Sequence, residues 1–393
     1  MTPGKIRKEM LEKMSDTIPE EMKLPTGSKL VLSSSPHVSA SENLRKIMVK
    51  VIAALLPAAA AGVWLFGFRA LLVIAVTVLS CVGAEALWCK LAKKSVSGAL
   101  GDFSAVVTGV ILALNLPATV PFYVPVIGAF LAIWLGKQVF GGLGSNPFNP
   151  AVVARVGLLI ALPAAMTIWS PPRGMDKNYP QAEVFFGASM MEKVKAGDLD
   201  GVTCATPLGL MTDTRKIVHT GDSKELEAKA ARNFDKVNSP ELLKKYFWGV
   251  RPGCIGETCV PALLLGLAVL LFFRLVNWRV PLCFAGSTFL FAGVIHFFFP
   301  GVTPPALFHL LTGGLLIGAI FMATDMVTSP VTNWGCVLFG TGCGIITAVI
   351  RIWGNYPEGV SFAILLMNAL VPFIDRLCTR SVFGSRAQGE EKK

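Results

Sequence analysis

Charge is scarce in this 393-residue chain: only 16% of residues are Asp, Glu, Lys or Arg, against 53% hydrophobic. A soluble domain with that balance and a mean hydropathy of +0.59 would expose a large apolar surface, so a soluble fold is excluded. Histidines number only four, and the nine cysteines include no Cys-x-x-Cys pair and no Cys-x-x-Cys-His. An iron–sulfur cluster or haem held by this chain alone is therefore not expected, and neither is a metal site. Cys81, Cys89, Cys283, Cys336, Cys343 and Cys378 lie in or beside apolar runs and read as small packing residues. Cys254 and Cys259 could pair, but Ile-Gly-Glu-Thr between them reads better as a helix start. The first thirty residues alternate charged with single apolar residues, so no cleavable signal peptide is expected.

What is abundant is long apolar sequence. Against a hydrocarbon core that needs about 20 helical residues, ten segments qualify: 47–67, 69–89, 103–116, 121–140, 149–169, 256–274, 280–299, 305–322, 333–352 and 360–377. The third and eighth are short and end in breakers, NLPATVP and ATDMVTSP. Matching interruptions in two halves predict discontinuous helices in an internal repeat. Thr108-Gly109 leads through a Pro-containing break and a full span to GLGSNPFNPA, and Thr312-Gly313 leads the same way to GNYPEGVSFA. Five helices per half is an odd number, so the halves are expected to be inverted.

The expected organisation is a cytoplasmic tail (1–46), a first membrane repeat (47–170), an extracytoplasmic insertion (171–248), a second repeat (249–378) and a cytoplasmic tail (379–393). Orientation follows the Lys/Arg of the short connections: Lys90, Lys93, Lys94, Lys137, Arg274, Arg279, Arg376 and Arg380 share the side of the N-terminus. Arg69 and Arg351 are the exceptions. The insertion, with 12 basic and 11 acidic residues, is long enough to cross regardless of charge. The basic pI thus marks membrane orientation, and nucleic acid is not an expected partner.

Acidic residues in apolar helices are costly and are functional candidates by default. Glu85 in GAEALW and Asp325 at the second break are candidates for ion coupling, with helix capping as the competing reading; Asp375, beside Arg376, reads as interfacial. Gly141-Gly142-Leu143-Gly144 resembles a phosphate loop but lacks the Lys and the strand-to-helix setting such a loop needs. It leads instead into a re-entry turn, where the Asn146 and Asn149 amides can bond a ring or satisfy broken backbone. His296 and His309 read as packing or hydrogen-bonding residues.

The stretch DGVTCATPLG in the insertion would by itself read as an Asx or Ser/Thr turn. It also resembles the Asp-x-x-Ser/Thr-x-Ala-Thr signature at which a flavin transferase links FMN through its phosphate to the last threonine. Here Thr206 supplies the oxygen, Ala205 leaves room, and Asp200 and Thr203 give polar recognition; Cys204 stands where glycine is frequent. With SSPHVSASENLRKIM, GKQVFGGLGSNPFNPA, RPGCIGETC, MATDMVTSP and GNYPEGVSFAILLMNALVPFIDR, the chain from about residue 31 to 385 resembles the D subunits of Rnf complexes, ion-translocating ferredoxin:NAD oxidoreductases. It is also similar to the homologous B subunits of Na+-translocating NADH:quinone reductases. The resemblance implies covalent FMN on Thr206, a noncovalent riboflavin near the membrane (with Asn146 and Asn149 as its expected contacts) and an all-α, urea-transporter-like fold of about ten transmembrane helices in two inverted five-helix repeats. It further implies assembly with Rnf subunits A, B, C, E and G in a bacterial inner membrane, after maturation by a flavin transferase. No residue of this chain is expected to be catalytic in its own right. The alternatives are a quinone-reductase B subunit, or a urea-type solute channel, which would have no use for Thr206 in its signature.

Overall fold

A computed structural model describes residues 43–176, 178–179, 185, 192, 204–212, 238–299, 303–354, 356 and 358–378. The N-terminal tail to residue 42, the C-terminal tail from 379, and most of the insertion, including Asp200 and Thr203, lie outside the described residues. Among the described residues every regular element is helical.

The first half runs α1 (Leu44–Phe66), α2 (Phe68–Leu91), a short α3 (Val96–Leu100), α4 (Ser104–Leu114), α5 (Tyr123–Phe130, continued as a π-helix over Leu131–Gln138), α6 (Pro150–Ala161) and a single turn α7 (Pro163–Met166). After α8 (Pro240–Trp248) in the insertion, the second half runs α9 (Val260–Phe272), α10 (Arg279–Phe298), α11 (Ala306–Leu311), α12 (Leu315–Ile317, continued as a π-turn over Gly318–Met322), α13 (Asn333–Trp353) and α14 (Val360–Leu377). Both halves share one order: two helices, a short one, an interrupted one, then two more. Five helices, α1, α2, α10, α13 and α14, are long and apolar enough to cross a membrane. The outer surface suits that setting: Phe272 and Phe297 are 81% and 80% exposed, a greasy periphery that only lipid or partner helices satisfy.

Three expected segments are revised. The fifth stops at Ala161, because Pro163 cannot donate to the helical ladder and the residue before it leaves the α region. The sixth starts at Val260, since residues 249–259 form an irregular connection instead. The eighth is split at Thr312-Gly313-Gly314, where Gly313 takes φ 66.

Broken helices leave carbonyls that need donors where water is absent. The two halves supply them to each other. At the end of α4, the amides of Gly256 and Ile255 donate to Leu114 O (2.8 Å) and Leu116 O (3.0 Å). A Cβ on Gly256 would stand 2.5 Å from Leu114 Cβ, so this approach requires glycine. At the end of α12, Asn149 Nδ2 donates to Met322 O at 3.1 Å. Within their own halves, Arg69 donates to Ala118 O and Thr119 O in the break after α4 (3.0 and 3.1 Å), and Arg351 to His309 O and Thr312 O at the interruption before α12 (2.7 and 3.1 Å). The two exceptions to the basic-residue pattern are thus committed to broken backbone.

Candidate functional site

The expected site residues fall into two places. The first is a cavity of about 330 Å³ between the starts of α1, α4 and α6, the end of α9 and the segment after α12, with Ser104, Lys137, Asn146, Asn149, Thr324 and Asp325 among its lining. The loop before α6 reaches it through Gly141, Gly142 and Gly144, at φ 116, 106 and 92, which explains the glycine run without a phosphate. Asn149 is fully used: its Oδ1 accepts from Ala151 N at 3.0 Å as the α6 cap, while its Nδ2 holds Met322 O. Asn146 is different. Its Nδ2 donates to Phe148 O at 2.9 Å, and its Oδ1 is buried with no partner.

Glu85, buried in α2, has no base near it in sequence, but the fold supplies one. The π-helical end of α5 brings consecutive Lys137 and Gln138 onto its Oε1: Lys137 Nζ forms a buried ion pair and Gln138 Nε2 donates at 2.9 Å. Lys137 also donates to Ser104 Oγ at 2.6 Å, and Ser104 donates to Asp102 Oδ1 at 2.6 Å. Acid, base, hydroxyl and acid form one chain whose middle members, Lys137 and Ser104, line the cavity. Asp325, half-buried across the cavity, accepts from Thr328 Oγ1 at 3.3 Å. Sequence reasoning passed over Lys137, whose place at the end of an apolar helix read as orientation alone.

The second place is the insertion. Its described residues form a small core of Met175, Tyr179, Phe185, Cys204, Leu208, Met211, Leu242 and Tyr246, closed by Phe308 of α11. Ala205 N donates to Phe185 O at 2.9 Å. Thr206, 8% exposed, opens a short helix at 207–212, and its Oγ1 accepts from Gly209 N at 3.0 Å. Leu208, two residues on, packs against the break of the second half: a Cβ on Gly313 would collide with its Cδ1. Cys204 donates its thiol to Trp169 O at 3.7 Å, and burial pushes its pKa up to about 12, so it stays neutral beside the threonine. Burial likewise raises the Tyr179 and Tyr246 phenols. Cys254 and Cys259 are both free, and Cys259 caps α9.

Continuous and interrupted apolar helices, buried ion pairs and backbone breaks satisfied from the opposite half define an all-α polytopic membrane protein. The model of the NQR2, RnfD, RnfE family matches residues 31–384, and the chain belongs to that family. Its relatives include the D subunit of the proton-translocating ferredoxin:NAD(+) oxidoreductase complex of Clostridium ljungdahlii, 40% identical over 90% of this chain and 96% of that one. The D subunit of the Na(+)-translocating ferredoxin:NAD(+) oxidoreductase complex of Acetobacterium woodii is 38% identical over 93% and 98%. The corresponding D subunit of the ion-translocating oxidoreductase complex of Stutzerimonas stutzeri is 39% identical over 88% and 93%.

Proposed function

We propose that this chain is the flavin-carrying membrane subunit of an Rnf-type ion-translocating ferredoxin:NAD oxidoreductase, holding FMN as a phosphoester on Thr206. The observation that carries the reading is Thr206 itself. It stands last in an Asp-x-x-Thr-x-Ala-Thr stretch within the aqueous insertion, packed through Leu208 onto the break of the second half. The chain's part is positional: Thr206 offers the hydroxyl, Ala205 leaves the approach open, and Asp200 and Thr203 mark the stretch for a flavin transferase. Attached flavin supplies one- or two-electron transfer, the step that joins single-electron centres to a hydride carrier.

The cavity beside Asp325 is the place for the second, noncovalent flavin. Asn146 Oδ1, buried without a donor, suits the ring N–H of a riboflavin, whereas Asn149 is spent on backbone and shapes the wall. Glu85 and Asp325 couple electron flow to a cation. The inverted repeats, an inner-membrane location with cytoplasmic termini and an extracytoplasmic insertion, and contacts with subunits A, B, C, E and G complete the reading. The relatives' names divide between proton and sodium, and Na+ and H+ are both compatible with these two carboxylates.

Ultraviolet fluorescence of the denatured chain in a gel tests this directly. Coexpression with a flavin transferase should give a fluorescent band that Thr206→Ala abolishes. A dark wild-type band would favour the solute-channel alternative; a band surviving in Thr206→Ala would reject the residue.

A further inference from the structure

A second buried charge cluster, nearer the insertion, is used by none of these assignments. Arg155 of α6 is 3% exposed and donates to Asn115 Oδ1 at the end of α4 and to Glu358 just before α14, with its Nη2 3.8 Å from Cys254 Sγ. Glu257 and Arg251 come from the connection between α8 and α9, outside the spanning helices. Glu257 is 3% exposed; its Oε1 accepts from Cys254 N at 3.0 Å, and its Oε2 has no partner. Arg251 donates to the backbone oxygen of Glu257, not to its carboxyl. Among the described residues, therefore, the more exposed Glu358 holds the ion pair while the more buried Glu257 has none.

The alternative partner is within reach of the same guanidinium. A Cβ placed on Gly314 would lie 3.1 Å from Glu257 Oε2 and 3.5 Å from Arg155 Nη1, so both atoms flank one point. An ionised carboxylate buried without an ion pair costs several kcal/mol, and such a group takes up a proton instead. We propose that Glu257 is a proton-binding site, filled while Arg155 holds Glu358 and emptied when Arg155 turns to Glu257. Filling forms an O–H bond on the carboxyl with a proton drawn from water; emptying returns it, and no electrons move. The charged and titratable groups facing Glu257 are Arg155 from α6, Arg251 and Cys254 from its own connection, Glu358 from the connection before α14, and the buried Arg351 from α13, whose guanidinium is committed to His309 O and Thr312 O; Gly314 and the end of α4 bring none. Cys254, Glu257 and Glu358 also lie close enough to share a metal ion, with donor atoms within 4.8 Å, but the guanidinium among them repels one.

Infrared spectroscopy of the chain in its purified complex reads the proton without turnover and without reference to the flavin. At neutral pH a protonated-carboxyl band, shifted by deuterium exchange, should be present in the wild type, lost in Glu257→Gln and moved in Glu257→Asp. In Glu358→Gln, where Arg155 has only Glu257 to pair with, that band should titrate at least about one pH unit lower. A band unchanged in Glu257→Gln, or unmoved in Glu257→Asp should the glutamine variant not assemble, overturns the site. An unshifted titration in Glu358→Gln overturns the exchange of partners, and stoichiometric metal in the purified complex overturns the proton as occupant.

Discussion

Side chain by side chain, the insertion isolates Thr206 chemically. The thiol next but one to it is buried and its pKa is raised to about 12, so at neutral pH the thiolate, the nucleophilic form, is negligible. Cys204→Gly should therefore keep the full flavin mass increment, measured by intact-mass spectrometry, while Thr206→Ala loses it. Glu85 behaves differently, because its charge is matched by Lys137. Removing one member of a buried pair leaves the other uncompensated, at about 3–5 kcal/mol, whereas neutralising both is far milder. Glu85→Gln should lower the melting temperature in detergent, and Glu85→Gln combined with Lys137→Met should recover most of the loss. If the double variant keeps covalent FMN yet shows weak ion pumping in vesicles, the carboxylate serves coupling; unchanged pumping would make the pair structural.

At the scale of the element, the decisive features are the two interrupted helices. α4 and α12 stop in the interior, and their free carbonyls are met by Gly256, Ile255 and Asn149 from the opposite half, with Arg69 and Arg351 serving the backbone beyond or before each break. Arg351 is fully buried, so Arg351→Met would orphan two carbonyls at about 1–3 kcal/mol each. Arg69 is exposed, and water can replace it. Thermal unfolding in detergent should thus show a clear loss for Arg351→Met and a smaller one for Arg69→Met; equal losses would mean that burial does not set the cost.

For the molecule as a whole, the proposed orientation puts the Asp325 cavity at the cytoplasmic end and Thr206 at the other. A membrane-impermeant thiol label applied to intact spheroplasts should reach a single cysteine engineered within residues 220–230, in a background without native cysteines. Labelling only after membrane disruption would invert the topology. The cavity, at the end of α12, and the Glu257 cluster, at the end of α4, then lie toward opposite ends of the protein.

Composition and apolar run length were enough to determine the membrane class, because hydrocarbon thickness imposes a length that can be counted. The breaks at NLPATVP and ATDMVTSP were legible for a similar reason: proline acts locally. Thr206 could be proposed from the sequence because its signature is contiguous. Tertiary structure alone decided the partners. Lys137 is 52 residues from Glu85, and Glu358 is 203 from Arg155, so each acid looks unpaired until the helices pack. The same holds for Asn149, whose amide is committed to Met322, 173 residues away, and for Arg69 and Arg351, which charge counting treated as exceptions. In a low-dielectric interior every buried charge and broken carbonyl needs a partner, and only the folded chain decides which group is near enough to serve.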